Sequence, residues 1–193
     1  MQKRHGTGMV LGLAMFAAAM AQGQAPMTGM GAGAHGPVVP AGPTGPAAEV
    51  QRSYAGLKTN ILKAANSMPG DVYSFKPIPE VRTFARVVNH VTEAQLHACA
   101  AANGTASSAL PTVPPETSDK AVILQALQES FAECDKAFAA ASDANLTEML
   151  PAGSARRSRI GLLWGTVSHD NEQYATLALY MRLKGLLPPS SEK

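Results

Sequence analysis

The chain has 193 residues, of which 46% are hydrophobic and 16% charged, and its formal net charge is +2. This length excludes a large multidomain enzyme. The near-balance of charge excludes a basic nucleic-acid-binding arm and an acidic disordered tail. Aromatic residues make up only 5%, so the core must consist mainly of Ala, Leu, Val and Met, a composition that favours packed helices.

Residues 1–21 have the composition of a secretory signal peptide. Lys3 and Arg4 precede the apolar run MVLGLAMFAAAMA, which ends in small residues, an order typical of exported chains. The run of about 13 residues is shorter than the ~20 that span a bilayer, so cleavage after Ala21 is favoured over an uncleaved anchor. We therefore expect a periplasmic or secreted protein without a stable membrane span. Cleavage leaves 14 basic and 14 acidic side chains, and this neutral chain gives no indication of nucleic-acid binding.

Residues 22–48 are predicted to be a disordered linker. The segment contains seven Gly and five Pro and no Asp, Glu, Lys or Arg. Such a composition cannot bury enough apolar surface to offset the entropy lost on ordering. The folded domain is therefore expected to cover residues 49–193.

The folded domain has helical periodicity, and we find no alternating strand pattern in it. Helices are predicted over about 49–68, 80–103, 118–142 and 154–184, separated by segments rich in Pro, Gly, Ser and Thr. The apolar stripe of the second helix includes Gln95, and that of the fourth includes Ile160, Trp164 and Val167. Four amphipathic helices with intervening loops indicate an all-α, antiparallel four-helix bundle.

The two cysteines, Cys99 and Cys134, lie on the second and third predicted helices. In an exported protein, an even number of cysteines suggests a disulfide. The alternative is two small buried thiols in the core. Helical periodicity does not set the distance between them, so both interpretations stay open.

Histidines and glutamates repeat at a spacing that could form a metal site. His90 precedes Glu93 by three residues, and His169 precedes Glu172 by three. Residues at this spacing share one face of a helix, and imidazole and carboxylate are ligands for divalent metals. His97 lies seven residues after His90, about 10.5 Å along the axis, which is too far for both to bind one ion easily. The alternative is that both pairs are ordinary surface contacts.

The C-terminal residues 169–191, HDNEQYATLALYMRLKGLLPPSS, resemble the last helix of the DinB-like superfamily. That family often ends in a pattern such as H-D-N-E-H-Y-G followed by Y-L-R-x-K-G and P-P-S. Residues 69–103 are similar to the family's loop and second helix, where a histidine falls at the position of His90. The resemblance covers most of residues 49–191, and it implies an antiparallel four-helix bundle with a divalent metal in its core.

Three histidines typically hold the metal in this family, one from the second helix and an H-x-x-x-H pair from the last. The resemblance therefore implies His90 and His169 as ligands of Zn, Ni, Fe or Mn. The third position is Gln173, whose amide oxygen is a weaker ligand than imidazole for such metals, and Ala175 replaces a frequent Gly. Further ligands, or groups that support the ligands, could come from Glu93, His97 and Glu172.

Two functions follow from the resemblance. One is a metal-dependent transferase or hydrolase acting on an unknown small molecule. The other is a non-catalytic binding or structural bundle whose metal site has degenerated at Gln173. The chain is also expected to form homodimers, as similar proteins often do. A ferritin-type site with two metals is disfavoured, because the E-x-x-H order that it needs is reversed here.

Overall fold

The computed structural model describes residues 44–192. Its helices are α1 (Pro46–Ser67), α2 (Phe84–Asn103), α3 (Lys120–Ala139) and α4 (Arg159–Leu183), with strands β1 (Met149–Ala152) and β2 (Ala155–Ser158) between α3 and α4. Both α1 and α2 pack against α3 and α4. No helix within 44–192 has the length and hydropathy needed to cross a bilayer. The predicted signal peptide, residues 22–43 of the predicted linker, and Lys193 lie outside the described residues.

Helix α1 begins at Pro46, inside the segment predicted to be linker. Proline suits the first turn of a helix, because its missing N–H would have no partner there and its φ angle is already helical. The backbone N–H of Ala47 donates to Asp143 Oδ1 at 2.8 Å. Gly45 has a φ of +106° and lies so close to Asp143 that a β-carbon would collide with that carboxylate. Helix α1 therefore begins three residues before the predicted start of the first helix, at Pro46 instead of about residue 49.

A β-hairpin replaces the predicted start of the fourth helix. Strands β1 and β2 pair antiparallel, with Met149 opposite Ser158 and Ala152 opposite Ala155. Pro151 disfavours helix here, and Gly153 takes a φ of +60° in the turn. Helix α4 begins only at Arg159, where the Ser158 hydroxyl accepts a hydrogen bond from the Gly161 N–H at 3.2 Å. The all-α prediction is thus right for the four helices and wrong for this hairpin.

The buried face of α4 also differs from the predicted stripe. Trp164 is 53% exposed, whereas Leu162 and Leu163, which lie outside that stripe, are buried. Val167 is buried as predicted. Because α4 packs against both α1 and α2, it buries a broad surface. A single stripe of apolar residues spaced three and four apart therefore does not describe that surface, and it wrongly predicts that Trp164 is buried. On α2 and α3, the aromatic and branched side chains of Phe84, Val88 and Phe131 are buried.

Cys99 on α2 and Cys134 on α3 form a disulfide, with 4.9 Å between their Cα atoms. Both residues are buried in the core. The Cα separation lies in the usual range of about 4.4–6.8 Å for disulfides. The bond therefore links two neighbouring helices of the bundle directly through the core.

Glu133 joins the end of α2 to α3. Its Oε1 accepts hydrogen bonds from Asn103 Nδ2 at 2.8 Å and Thr105 Oγ1 at 2.6 Å, and Lys136 Nζ lies 2.9 Å from its Oε2. The hydrogen bonds from Asn103 and Thr105, followed by the contact with Lys136, lower the pKa of Glu133 from 4.5 to about 2. The ionised carboxylate is therefore favoured by the folded state.

We expect the stabilisation from Glu133 to depend on pH. Because its pKa is lower in the folded state, the stabilisation is full above about pH 4.5 and is lost as the pH falls towards 2. Glu133→Gln should lower the free energy of unfolding by about 1–2 kcal/mol at pH 7, and urea unfolding should show this difference shrinking between pH 5 and 2. The control is Glu129→Gln, an exposed glutamate one turn earlier. If Glu133→Gln and Glu129→Gln lowered the free energy of unfolding equally at every pH, the stabilising role given to Glu133 would be wrong.

Candidate metal centre

The side chains of His90 on α2 and His169 on α4 meet at the contact between these helices. Their Nε2 atoms lie 3.2 Å apart, and the two side chains are 27% and 26% exposed. With Zn–N distances of about 2.0–2.1 Å, two nitrogens bound to one tetrahedral ion lie about 3.4 Å apart. The two imidazoles are therefore spaced as two ligands of one ion would be.

The other ring nitrogen of each histidine faces a carboxylate. His90 Nδ1 lies 3.6 Å from Glu93 Oε2, and His169 Nδ1 lies 3.5 Å from Asp170 Oδ1. A nearby carboxylate favours the tautomer with the proton on Nδ1, which leaves the lone pair on Nε2 for a metal. Desolvation, followed by the positive charge of Arg82, lowers the pKa of His90. The neutral form of His90 is therefore favoured.

Asp170 belongs to a buried chain of polar side chains that sequence reasoning missed. Its Oδ2 accepts from Gln95 Nε2 at 2.7 Å, and Gln95 Oε1 accepts from Ser130 Oγ at 2.8 Å. Asp170 is 1% exposed, and Gln95 and Ser130 are fully buried. Burial raises the pKa of Asp170, against the effect of its contacts with His169 and Gln95. The chain holds the carboxylate of Asp170 towards the ring of His169.

One feature of the sequence indicates these buried hydrogen bonds. Gln95 lies in the middle of the predicted apolar stripe of the second helix, where an amide side chain must find a buried partner. Asp170 directly follows the candidate ligand His169 and is the one acidic residue between His169 and Glu172. A polar residue inside an apolar stripe thus indicated a polar contact across the core.

Gln173, the predicted third ligand, lies one helical turn after His169 on the same helix. It is 6% exposed, and its side chain makes no hydrogen bond with another residue in the range 44–192. A buried amide without a protein partner has an oxygen available for a metal ion or a bound water. Gln173 therefore stays a predicted ligand, and its amide oxygen is a weaker donor than imidazole.

The alternative ligands are placed less favourably. His97 and Glu172 are exposed, and among residues 44–192 neither is hydrogen-bonded to His90 or His169. Glu93 is held by Arg86, whose guanidinium lies 3.0 Å from both carboxylate oxygens. In this part of the chain, no three or more His, Cys, Asp or Glu residues are grouped so as to hold a metal. His90, His169 and Gln173 therefore stay the predicted ligands.

Comparison with protein families gives one match that covers most of the bundle. The family model described as the DinB superfamily matches residues 53–177. This range includes His90, His169 and Gln173, as well as both cysteines. A search of curated proteins gives no match.

Solved structures with the same fold come from several bacteria. A DinB-like protein from Bacillus cereus has a TM-score of 0.56 at 17% identity, covering 72% of this chain and 93% of that one. A DinB-like protein from Bacillus subtilis has a TM-score of 0.56 at 18% identity, covering 75% and 99%. A conserved protein from Enterococcus faecalis has a TM-score of 0.57 at 12% identity, covering 73% and 98%. At these identities, the likeness extends to the fold.

Proposed function

The chain belongs to the DinB superfamily, and on this premise we propose that its bundle binds one divalent transition metal through His90 and His169. The observation that carries the proposal is the 3.2 Å separation of their Nε2 atoms. The amide of Gln173 is the third ligand. The site supports metal-dependent transferase or hydrolase chemistry on a small molecule.

The donor set favours a borderline transition metal. Imidazole nitrogens suit Zn, Fe and Ni, and an amide oxygen is also accepted by Mn. Two neutral imidazoles and one neutral amide leave the charge of the ion uncompensated. Such a site has room for water or substrate oxygen beside the protein ligands, as catalytic sites require.

The protein residues of the site have separate tasks. A bound divalent ion would supply Lewis acidity and lower the pKa of a bound water. His90 and His169 hold the ion, and Asp170 keeps the proton of His169 on Nδ1. Gln95 and Ser130 fix Asp170 through buried hydrogen bonds. Arg86 holds Glu93 beside the ring of His90.

We expect His90→Ala and His169→Ala to abolish tight metal binding. Each change removes one of two imidazoles, and affinity for Zn²⁺ or Ni²⁺ should fall on the order of 100-fold or more. Isothermal titration calorimetry on the metal-stripped, tag-free protein measures this change. His97→Ala is the matched control, because this third histidine of the bundle is exposed on the same helix as His90. If His97→Ala lost as much affinity as His90→Ala, the assignment of ligands would be wrong.

We also propose that the protein is exported and works outside the cytoplasm. The basic and apolar start of the chain supports this, as does the pairing of its two cysteines, since disulfides persist in oxidising compartments. N-terminal sequencing of the protein from the extracellular or periplasmic fraction tests the proposal. A mature start at Gln22 is expected, and an intact protein confined to the cytoplasm would contradict it.

A further inference from the structure

A small cavity lies beside His169, between α2, α4 and the hairpin. Its volume is about 240 Å³, and its polar lining comes from His97, Arg157, Thr166, His169 and Asp170. Ligand-binding pockets usually measure about 300–1,000 Å³. This cavity, which we call the Arg157 cavity, is therefore of a size for the head group of a ligand.

Arg157 is oriented towards this cavity. It lies on β2, and its Nη2 donates to the carbonyl of Gly161 at 2.8 Å. A β-carbon on Gly165 would lie 3.3 Å from the same nitrogen, so the guanidinium rests against the backbone of α4 where a side chain is missing. No carboxylate within residues 44–192 forms an ion pair with Arg157. Its remaining N–H groups are thus available to an anion.

A second, larger cavity shares the lining residue His97 with the first. It lies between α2, the segment after α2 and the hairpin turn, and its volume of about 580 Å³ falls in the range of ligand pockets. Most of its lining is apolar: Leu96, Ala100, Leu110, Pro111, Val113 and Pro151. We call it the apolar cavity.

We propose that these two cavities form one binding site for an amphiphilic carboxylate. Its carboxylate head group lies in the Arg157 cavity and accepts hydrogen bonds from the guanidinium of Arg157. Its apolar chain passes His97 into the apolar cavity. This places the head group beside His169. That the ligand is a substrate rests on the proposed metal function. That the ligand binds at all does not depend on the metal.

The two carboxylates near the site are both engaged by other side chains. Glu93 lines the apolar cavity and is paired with Arg86. Asp170 lines the Arg157 cavity, but it is buried and its Oδ2 already accepts from Gln95. Arg157 is therefore the group that decides the sign of charge accepted by the smaller cavity.

The experiment titrates octanoate into the metal-stripped protein by isothermal titration calorimetry. The wild type should bind about one equivalent, since the geometry provides one guanidinium. Arg157→Gln should weaken binding about 10- to 100-fold, which corresponds to the loss of a charge-assisted hydrogen bond. The matched control is Arg156→Gln. Arg156 is the neighbour of Arg157 on β2, so its side chain projects from the opposite face of the strand, where it donates to the carbonyl of Met149. This control should bind octanoate as the wild type does.

Two further probes separate the head group from the chain. Octan-1-ol lacks the charge of octanoate. Its affinity for the wild type should therefore not exceed the affinity of octanoate for Arg157→Gln. Acetate lacks the chain and should bind at least 10-fold more weakly than octanoate, because the chain buries apolar surface. Equal affinity of wild type and Arg157→Gln, or of octanoate and acetate, would overturn the proposal. A failure of metal binding with octanoate binding intact would contradict the metal function alone.

Discussion

Replacing both Cys99 and Cys134 with Ala is expected to lower the free energy of unfolding by about 3–4 kcal/mol. The two residues are 35 positions apart, and closing a loop of this length removes much of the entropy of the unfolded chain. The paired sulfurs also fill space in the core between α2 and α3, and truncation to Ala leaves part of that space empty. Urea unfolding of the oxidised wild type and the double variant measures the difference.

Reduction of the wild type provides the control for this change. The reduced protein keeps its sulfur atoms, so the stability lost on reduction reports the crosslink, and the further loss in the double variant reports the cavity. Native protein purified without reductant should contain no free thiols. Two free thiols in that protein, with no loss of stability on adding reductant, would contradict the disulfide.

The disulfide also bears on the candidate metal centre. Gln95 lies one turn before Cys99, and Ser130 lies one turn before Cys134, so each pair shares a helix face. The bond therefore keeps α2 and α3 at the spacing that the hydrogen bond between Gln95 and Ser130 needs. Through Asp170, that spacing supports the orientation of His169.

Gln173→His is expected to raise the affinity for Zn²⁺ or Ni²⁺ on the order of 100-fold or more, or about 3 kcal/mol. The change supplies an imidazole one turn after His169, at i,i+4, where two side chains can reach the same ion. Position 173 is buried in the bundle. Competition with a chromophoric chelator measures the affinity.

Gln173→Leu is the matched control for this prediction. It keeps the size of the side chain roughly constant and removes the amide, so it should weaken binding relative to the wild type if the amide is a ligand. Circular dichroism shows whether both variants keep their helices. An unchanged affinity in Gln173→His would mean that position 173 does not face the ion, and the proposed donor set would be wrong.

The four helices could be predicted from the sequence because each spans five turns or more and repeats its apolar pattern several times. The hairpin could not, since strands of four residues such as Met149–Ala152 are too short to display a period. The side of α4 that carries Trp164 was assigned wrongly, because a helix with two packing neighbours buries more than one stripe. Local periodicity thus predicts where a helix lies along the sequence better than it predicts which side of the helix is buried.

The candidate site shows the same limit at the level of side chains. Spacing and family resemblance pointed to His90, His169 and Gln173, but the 3.2 Å approach of the two rings depends on how α2 packs against α4. Asp170 accepts a hydrogen bond from Gln95 on α2, and Gln95 in turn accepts one from Ser130 on α3. Arg157 lines the same cavity as His169 because the hairpin, which was not predicted, lies against α4. Contacts of this kind are set by tertiary packing, which no single segment encodes.

Elemental analysis of the mature, tag-free protein, purified without added metal or chelator, tests the central claim most directly. We predict about one equivalent of Zn, Ni, Fe or Mn per chain, and its loss in the double variant His90→Ala/His169→Ala. A wild type that is free of metal, and that takes up about one equivalent only after Gln173→His, would contradict the account. That result would instead identify a non-catalytic bundle whose metal site has degenerated.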